Sequence, residues 1–128
     1  MSVLRDLATL LTGVGAPIIT GRRPATPDRM VSLQTYPGDP NRYLDANNLP
    51  ADERLAVQLT ARAERNNQAA AETLAEAAFR AVTQRHVTIN GRRYAWIRAN
   101  HYPAYAGTDE NDRPLVVVNL TIRRHGTH

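Results

Sequence analysis

Four histidines, two serines and a knot of acids beside an arginine are the side chains with catalytic chemistry to offer, and their spacing limits what they can do. His86, His101, His125 and His128 show neither the HxH nor the HExxH spacing that brings two imidazoles onto one metal. Ser2 and Ser32 stand outside any nucleophile-elbow sequence, and no glycine-rich phosphate loop is present. Asp109, Asn111 and the nearby acids resemble a calcium loop in composition, but its turn glycine and its distant glutamate are missing. No metal and no cofactor are expected. Chosen by residue type alone, the best catalytic set is His101 with Tyr102, Arg98 and Arg113, an acid–base group and two cations suited to a small basic ribonuclease. No motif ties these four together, so the chain is expected not to be an enzyme.

A second chemistry lies in the run from Arg92 to Ala99. Strict alternation would set Arg92, Tyr94, Trp96 and Arg98 on one face and Arg93, Ala95, Ile97 and Ala99 on the other. Alternating arginine and aromatic residues can stack unpaired bases, which is the reading of a small nucleic-acid-binding module. The same pattern serves aromatic residues of a core or interface with arginines snorkelling around them, and that is the preferred reading here.

These residues must be carried by elements, and the pair that organises the chain is the stretch from Arg54 to Val82. Leu55, Val57, Leu59, Ala61 and Ala63 alternate with Arg54, Gln58, Thr60, Arg62 and Glu64, the period of a half-buried strand. After a corner at Arg65, Asn66 and Asn67, the residues Ala71, Leu74, Ala75, Ala78, Phe79 and Val82 recur as one helical stripe. Asn66 or Asn67 can cap this helix, with Glu72 and Glu76 toward its start and Arg80 and Arg85 at its end. Ahead of this pair, Val3, Leu4, Leu7, Leu10, Leu11 and Val14 predict a first helix stopped by Gly13 and Gly15. A short extended segment follows from Ala16 to Thr20, then a turn-rich loop with Arg22 and Arg23, then a strand with Met30, Val31, Leu33 and Tyr36.

From Pro37 to Pro50 the prolines, Asn and Asp predict a loop with no packed element, ordered by a partner subunit through Tyr43 and Leu44, with local docking of these two against its own sheet an equally simple explanation. Beyond the central helix, Asn90-Gly91 between β-rich runs predicts a type I′ hairpin. The last strand is expected from Leu115 to Arg123, with Val116, Val118, Leu120 and Ile122 inward, and a frayed tail from Arg124 to His128. The fold class is therefore α+β: a mostly antiparallel sheet packed against two helices, in a single domain spanning 1–128.

Composition bounds the rest. At 128 residues the chain suits one domain, and without cysteine it has neither disulfide nor thiolate chemistry, which fits a reducing compartment such as the cytoplasm. Its N-terminal apolar run is short and interrupted by Arg5 and Asp6, so neither a signal peptide nor a membrane span is expected. All 16 basic residues are arginine. Up to Phe79 there are 8 Arg against 9 acids, and from Arg80 onward 8 against 3, so the second part carries the basic character. Such a field suits a polyanion, and equally the solvated surface of a moderately basic protein.

Several local patterns together resemble a known family. They are the amphipathic start from Val3 to Leu11, the strand from Ala56 to Arg62, and the helix with Ala70, Leu74, Ala75 and Phe79. To these are added Gly91 before a strand ending near Arg98, and the segment from Tyr105 to Pro114 ahead of Val118-Asn119-Leu120. The chain is similar in these respects to the minor capsid or tail terminator (tail completion) proteins of long-tailed bacteriophages; the polar insertion from Pro37 to Asp52 departs from their pattern. The resemblance implies a structural virion protein at the head–tail junction, assembled in the host cytoplasm. It implies a homo-oligomeric ring, a hexamer in that family, that ends the tail tube, docks on the head–tail connector and lets DNA pass with only transient contact. Under that implication the candidate subunit or partner interface is Tyr36, Tyr43, Leu44, Tyr102, Tyr105, Asp109, Glu110 and Arg113. The candidate lumen residues are Arg92 and Arg93 at the hairpin tip.

Overall fold

The computed structural model describes residues 3–35, 42–44 and 50–125, with 42–44 and 50–53 as backbone only. Tyr36 lies outside the described residues, as do the side chains of Tyr43 and Leu44. Two long antiparallel strands, β4 (Pro50–Arg62) and β8 (Pro114–His125), run side by side in register from Asp52↔His125 to Arg62↔Leu115. Each is long enough to carry two short strands in succession on its other edge. On β4 these are β2 (Met30–Thr35) and β3 (Arg42–Leu44); on β8 they are β6 (Arg92–Ala99) and β7 (Ala104–Thr108). The parallel β1 (Ile18–Thr20) flanks β2, and the antiparallel β5 (Gln84–Ile89) flanks β6, giving the order β1-β2-β4-β8-β6-β5. The sheet is thus mixed but mostly antiparallel, and with its two helices it makes an α+β domain.

Helices α1 (Val3–Leu10) and α2 (Gln68–Val82) supply the other layer. Val57, Leu59, Ala61 and Ala63 on the β4 side, with Val116, Val118, Leu120 and Ile122 of β8, face Leu7, Ala71, Leu74, Ala75, Ala78 and Val82 in one core. Three of those helical residues are alanine, which lets α2 lie close to the sheet at little side-chain entropy cost. Asn67 caps α2 by accepting from the Ala70 N–H at 3.2 Å. Phe79, expected in the buried stripe, is only half-buried at its edge. The helix stops where Thr83 turns extended (φ −77, ψ 102), so Arg85 belongs to β5 rather than to the helix end, and Arg80 alone stands in the last turn. Among the described residues no helix is long and apolar enough to cross a membrane.

Three departures from the sequence pattern matter. The stretch from 37 to 52 is not free of structure: Arg42–Leu44 pairs with β4, which already begins at Pro50, opposite Leu44, while its ladder to β8 starts at Asp52. The β3 register shifts between Tyr43 and Leu44, beside Pro50, which has no N–H to give. Secondly, β6 bulges. Against β8 its register jumps from Tyr94↔Arg124 to Trp96↔Arg123, leaving Ala95 as the extra residue. Tyr94 and Ile97 therefore both enter the core while Trp96 points to the opposite face, and the four-residue strip of Arg92, Tyr94, Trp96 and Arg98 does not exist as one surface. Finally, α1 ends at Leu10, short of Gly13, with a further turn in which Leu11 donates to Leu7 O and Ala8 O.

Candidate functional site

The hairpin joining β5 and β6 turns through Asn90 (φ 51) and Gly91 (φ 83), the positive pair that a type I′ turn requires. The side chains of Asn90 and Arg92 grip α1. Asp6 has a fully buried carboxylate that accepts from Arg92 Nε at 2.6 Å, from Arg92 Nη2, from Asn90 Nδ2 at 2.9 Å and from the Tyr94 hydroxyl. Burial alone would raise the Asp6 pKa, but the bonds from Arg92, Tyr94 and Asn90 outweigh it and hold the carboxyl below its ordinary range. Burial, reinforced by the bond to Asp6, pushes the Tyr94 phenol up to about 12. Arg92, held by Asp6, is raised as well. Arg92 is accordingly a structural cation and not a projected charge, whereas Arg93 beside it is exposed. Sequence reading missed Asp6 because in a helix it looks like a solvent-facing interruption.

The turn between β7 and β8 is closed in the same manner. Asp109 accepts from the backbone N–H of Asn111 at 2.9 Å and of Arg113 at 3.0 Å, and from Arg113 Nε at 2.9 Å. Desolvation opposes its charge; those donors prevail and keep its pKa low. Arg113 also reaches the Ala25 carbonyl and, at 3.1 Å, the Asp28 carboxylate. Next to it Arg62, 2 % exposed, donates to the carbonyls of Asp28 at 2.9 Å, Pro24 at 2.9 Å and Pro27 at 2.7 Å. Burial and the neighbouring Arg113 lower the Arg62 pKa, with the Asp109 carboxylate 3.8 Å away as a counter-charge. Two buried guanidiniums thus hold the loop from 24 to 28 onto the face of the sheet turned away from the helices. Asp109 and Arg113 are thus bonded within their own subunit, and Glu110 between them is exposed.

At the far end of β6, His101 is held between backbone groups. Its Nδ1 donates to Tyr102 O at 2.7 Å and its Nε2 accepts from the Asn119 N–H at 3.3 Å. Arg98 lies over the Trp96 ring at 3.9 Å from its centroid. Arg98, His101 and Tyr102 line one shallow groove, while Arg113 lines another with Arg62, so the ribonuclease set is not assembled.

The aromatic residues of this region behave differently. Tyr102 is 81 % exposed and touches only the edge of the core through Phe79, ring centroids 5.8 Å apart at 53°. Tyr105 on β7 is 47 % exposed. These are the two large apolar side chains left in water among the described residues.

A family model described as "Bacteriophage tail terminator protein" matches residues 6–125. No curated protein matches. Among solved structures, a chain of the virion of a native gene transfer agent particle superposes with a TM-score of 0.71. It is 13 % identical, and the alignment covers 98 % of this chain and 96 % of that one, so the whole fold is shared while the sequence is not. With the family model spanning nearly its full length, this chain belongs to the bacteriophage tail terminator family.

Proposed function

We propose that the subunit closes into a ring, a hexamer, at the head-proximal end of the tail, where it stops growth of the tail tube and joins it to the head connector. The observation that carries the reading is the pairing of family membership over residues 6–125 with two tyrosines standing in water, Tyr102 against Phe79 and Tyr105 on β7. Aromatic side chains so placed lose free energy in a monomer and gain it when a neighbour covers them. Glu110, in the next loop, adds an exposed acid beside this patch in sequence. Such a patch meets a different surface of the next copy in a head-to-tail contact, and that contact closes when its rotation fits a ring. The insertion from 37 to 52, with Tyr36, Tyr43 and Leu44, is the second proposed contact. The role is carried by shape and contacts, without an enzymatic step, and DNA crosses the lumen with transient, sequence-independent contact. Assembly takes place in the host cytoplasm.

The test is tube length. Particles assembled without this protein should carry tubes of irregular, excessive length unattached to heads, and supplying it should restore uniform joined tails. Tubes of normal length in its absence would refute the terminating role.

A further inference from the structure

The bulge in β6 has a second effect: it builds a basic row across the sheet. Arg85 on β5 pairs with Trp96 on β6, Trp96 with Arg123 on β8, and Arg123 with Arg54 on β4. Arg123 alternates with buried Ile122, and Trp96 is adjacent to buried Ile97, so the row lies on the face away from the helices. It spans three strand spacings, about 14 Å. One rung to either side, Arg93 opposite Thr88 and Arg98 opposite Thr121 extend it. Strands β5, β6 and β8 carry no acidic residue. All three acids beyond Arg80 sit in the β7–β8 turn, at Asp109, Glu110 and Asp112.

Several arginines elsewhere in the described chain are held by carboxylates. Arg29 pairs with Glu64, Arg80 with Glu76, Arg92 with Asp6 and Arg113 with Asp109 and Asp28. Arg85, Arg93 and Arg98 are all exposed and make no ion pair among the described residues. We infer that this face of β5, β6 and β8 is a contact surface for the phosphodiester backbone of duplex DNA. Because the Trp96 ring is already covered by Arg98, it offers no open platform for a base, which separates a duplex from a single strand as the ligand. Polar neighbours on the same face, Asn119 bonded to Gln58 and Thr121 bonded to Asn100, are occupied with one another and read no base edge. The contact is therefore independent of sequence, weak and sensitive to salt. The inference deepens the DNA contact of the proposed ring and rests on that reading for why DNA meets this face; it also moves the contact from the hairpin tip to the sheet.

The experiment measures binding of a labelled mixed-sequence duplex by fluorescence anisotropy between about 50 and 200 mM salt. Native mass is recorded on the same samples, and circular dichroism confirms folding. Replacing Arg85, Arg93 and Arg98 together by Gln should weaken binding at least about tenfold and lower the log–log salt slope by about 2 to 3, since each phosphate contact contributes about 0.9. Replacing Arg22, Arg29 and Arg80 by Gln removes the same charge elsewhere and should change affinity less than about twofold. If the first triple variant folds poorly, Arg85→Gln with Arg93→Gln alone serves, because neither contacts the Trp96 ring. Equal losses in the two variants, no duplex binding by the wild type, or a preference for single strands would each overturn the inference. So would loss of oligomers with duplex binding unchanged, which would make this face a protein contact. Rings that fail to bind duplex sink the surface and spare the ring; duplex binding that follows these arginines in a persistent monomer spares the surface and sinks the ring.

Discussion

The Asp6 carboxylate on α1 and the Arg92 guanidinium on β6, 86 residues apart in the chain, form a two-bond fork inside the fold, with Arg92 Nε 2.6 Å from one oxygen. Removing either partner leaves the other unmatched, and for the fully buried Asp6 the loss includes three hydrogen-bonded neighbours. Asp6→Ala should therefore cost about 3 kcal/mol in chemical denaturation. Arg92→Gln should also lower the denaturation midpoint, while Arg93→Gln, at an exposed position, should leave it within about 0.5 kcal/mol of wild type. Equal effects at 92 and 93 would show that the hairpin tip projects both charges.

The same site sets a pH window. Asp6 and Asp109 are both held below the ordinary carboxyl range in the folded state. Depressed carboxyl pKa values contribute stability that is complete above the unfolded value, about 3.9, and is lost as pH falls through the folded values. Tyr94 runs the other way: its phenol is pushed up to about 12, so its contribution is complete below the unfolded value near 10 and is lost as pH rises toward 12. The urea midpoint should be flat through neutrality, fall below about pH 4 and fall again above about pH 10. Asp6→Asn should flatten part of the acid limb, and an unchanged limb would remove Asp6 from this account.

Gly91 stands at φ 83 with nothing within 4 Å of where a Cβ would be. Gly91→Ala thus meets only the backbone penalty of the left-handed region, about 1–2 kcal/mol. A loss much beyond that would mean that the turn contacts something besides α1.

Arg113 and Arg62 hold the loop from 24 to 28 by its carbonyls. Arg113→Ala should leave Asp109 without its side-chain donor and destabilise the domain by about 3 kcal/mol. It should also speed tryptic cleavage after Arg22 several-fold, the more specific readout. Cleavage at the wild-type rate would mean that Arg62 alone suffices.

What the sequence disclosed is what period and turn chemistry control. The inward positions from Val57 to Ala63 and the α2 stripe apart from Phe79 stand as read because each pattern repeats over several residues, and the Asn90-Gly91 hairpin stands because both residues take positive φ. Ala95 carries no such mark: its bulge is imposed by the ladder to β8, and one slipped residue moved Trp96 to the face opposite Tyr94. Arg62 fell in the solvent series of its strand and is buried because a distant loop lies over it. β3 was hidden among prolines and asparagines because its pairing comes from β4, not from its own propensity.

The ring is the central claim, and native mass over a concentration series, with imaging of any large species, tests it most directly. The account predicts closed rings near six times the 14.2 kDa subunit mass. Tyr102→Ala with Tyr105→Ala should shift that equilibrium toward folded monomer by at least about tenfold, as expected for removing aromatic anchors. A wild-type protein that stays monomeric or stops at a two-fold dimer throughout the series, with Tyr102 still open to solvent, would contradict it.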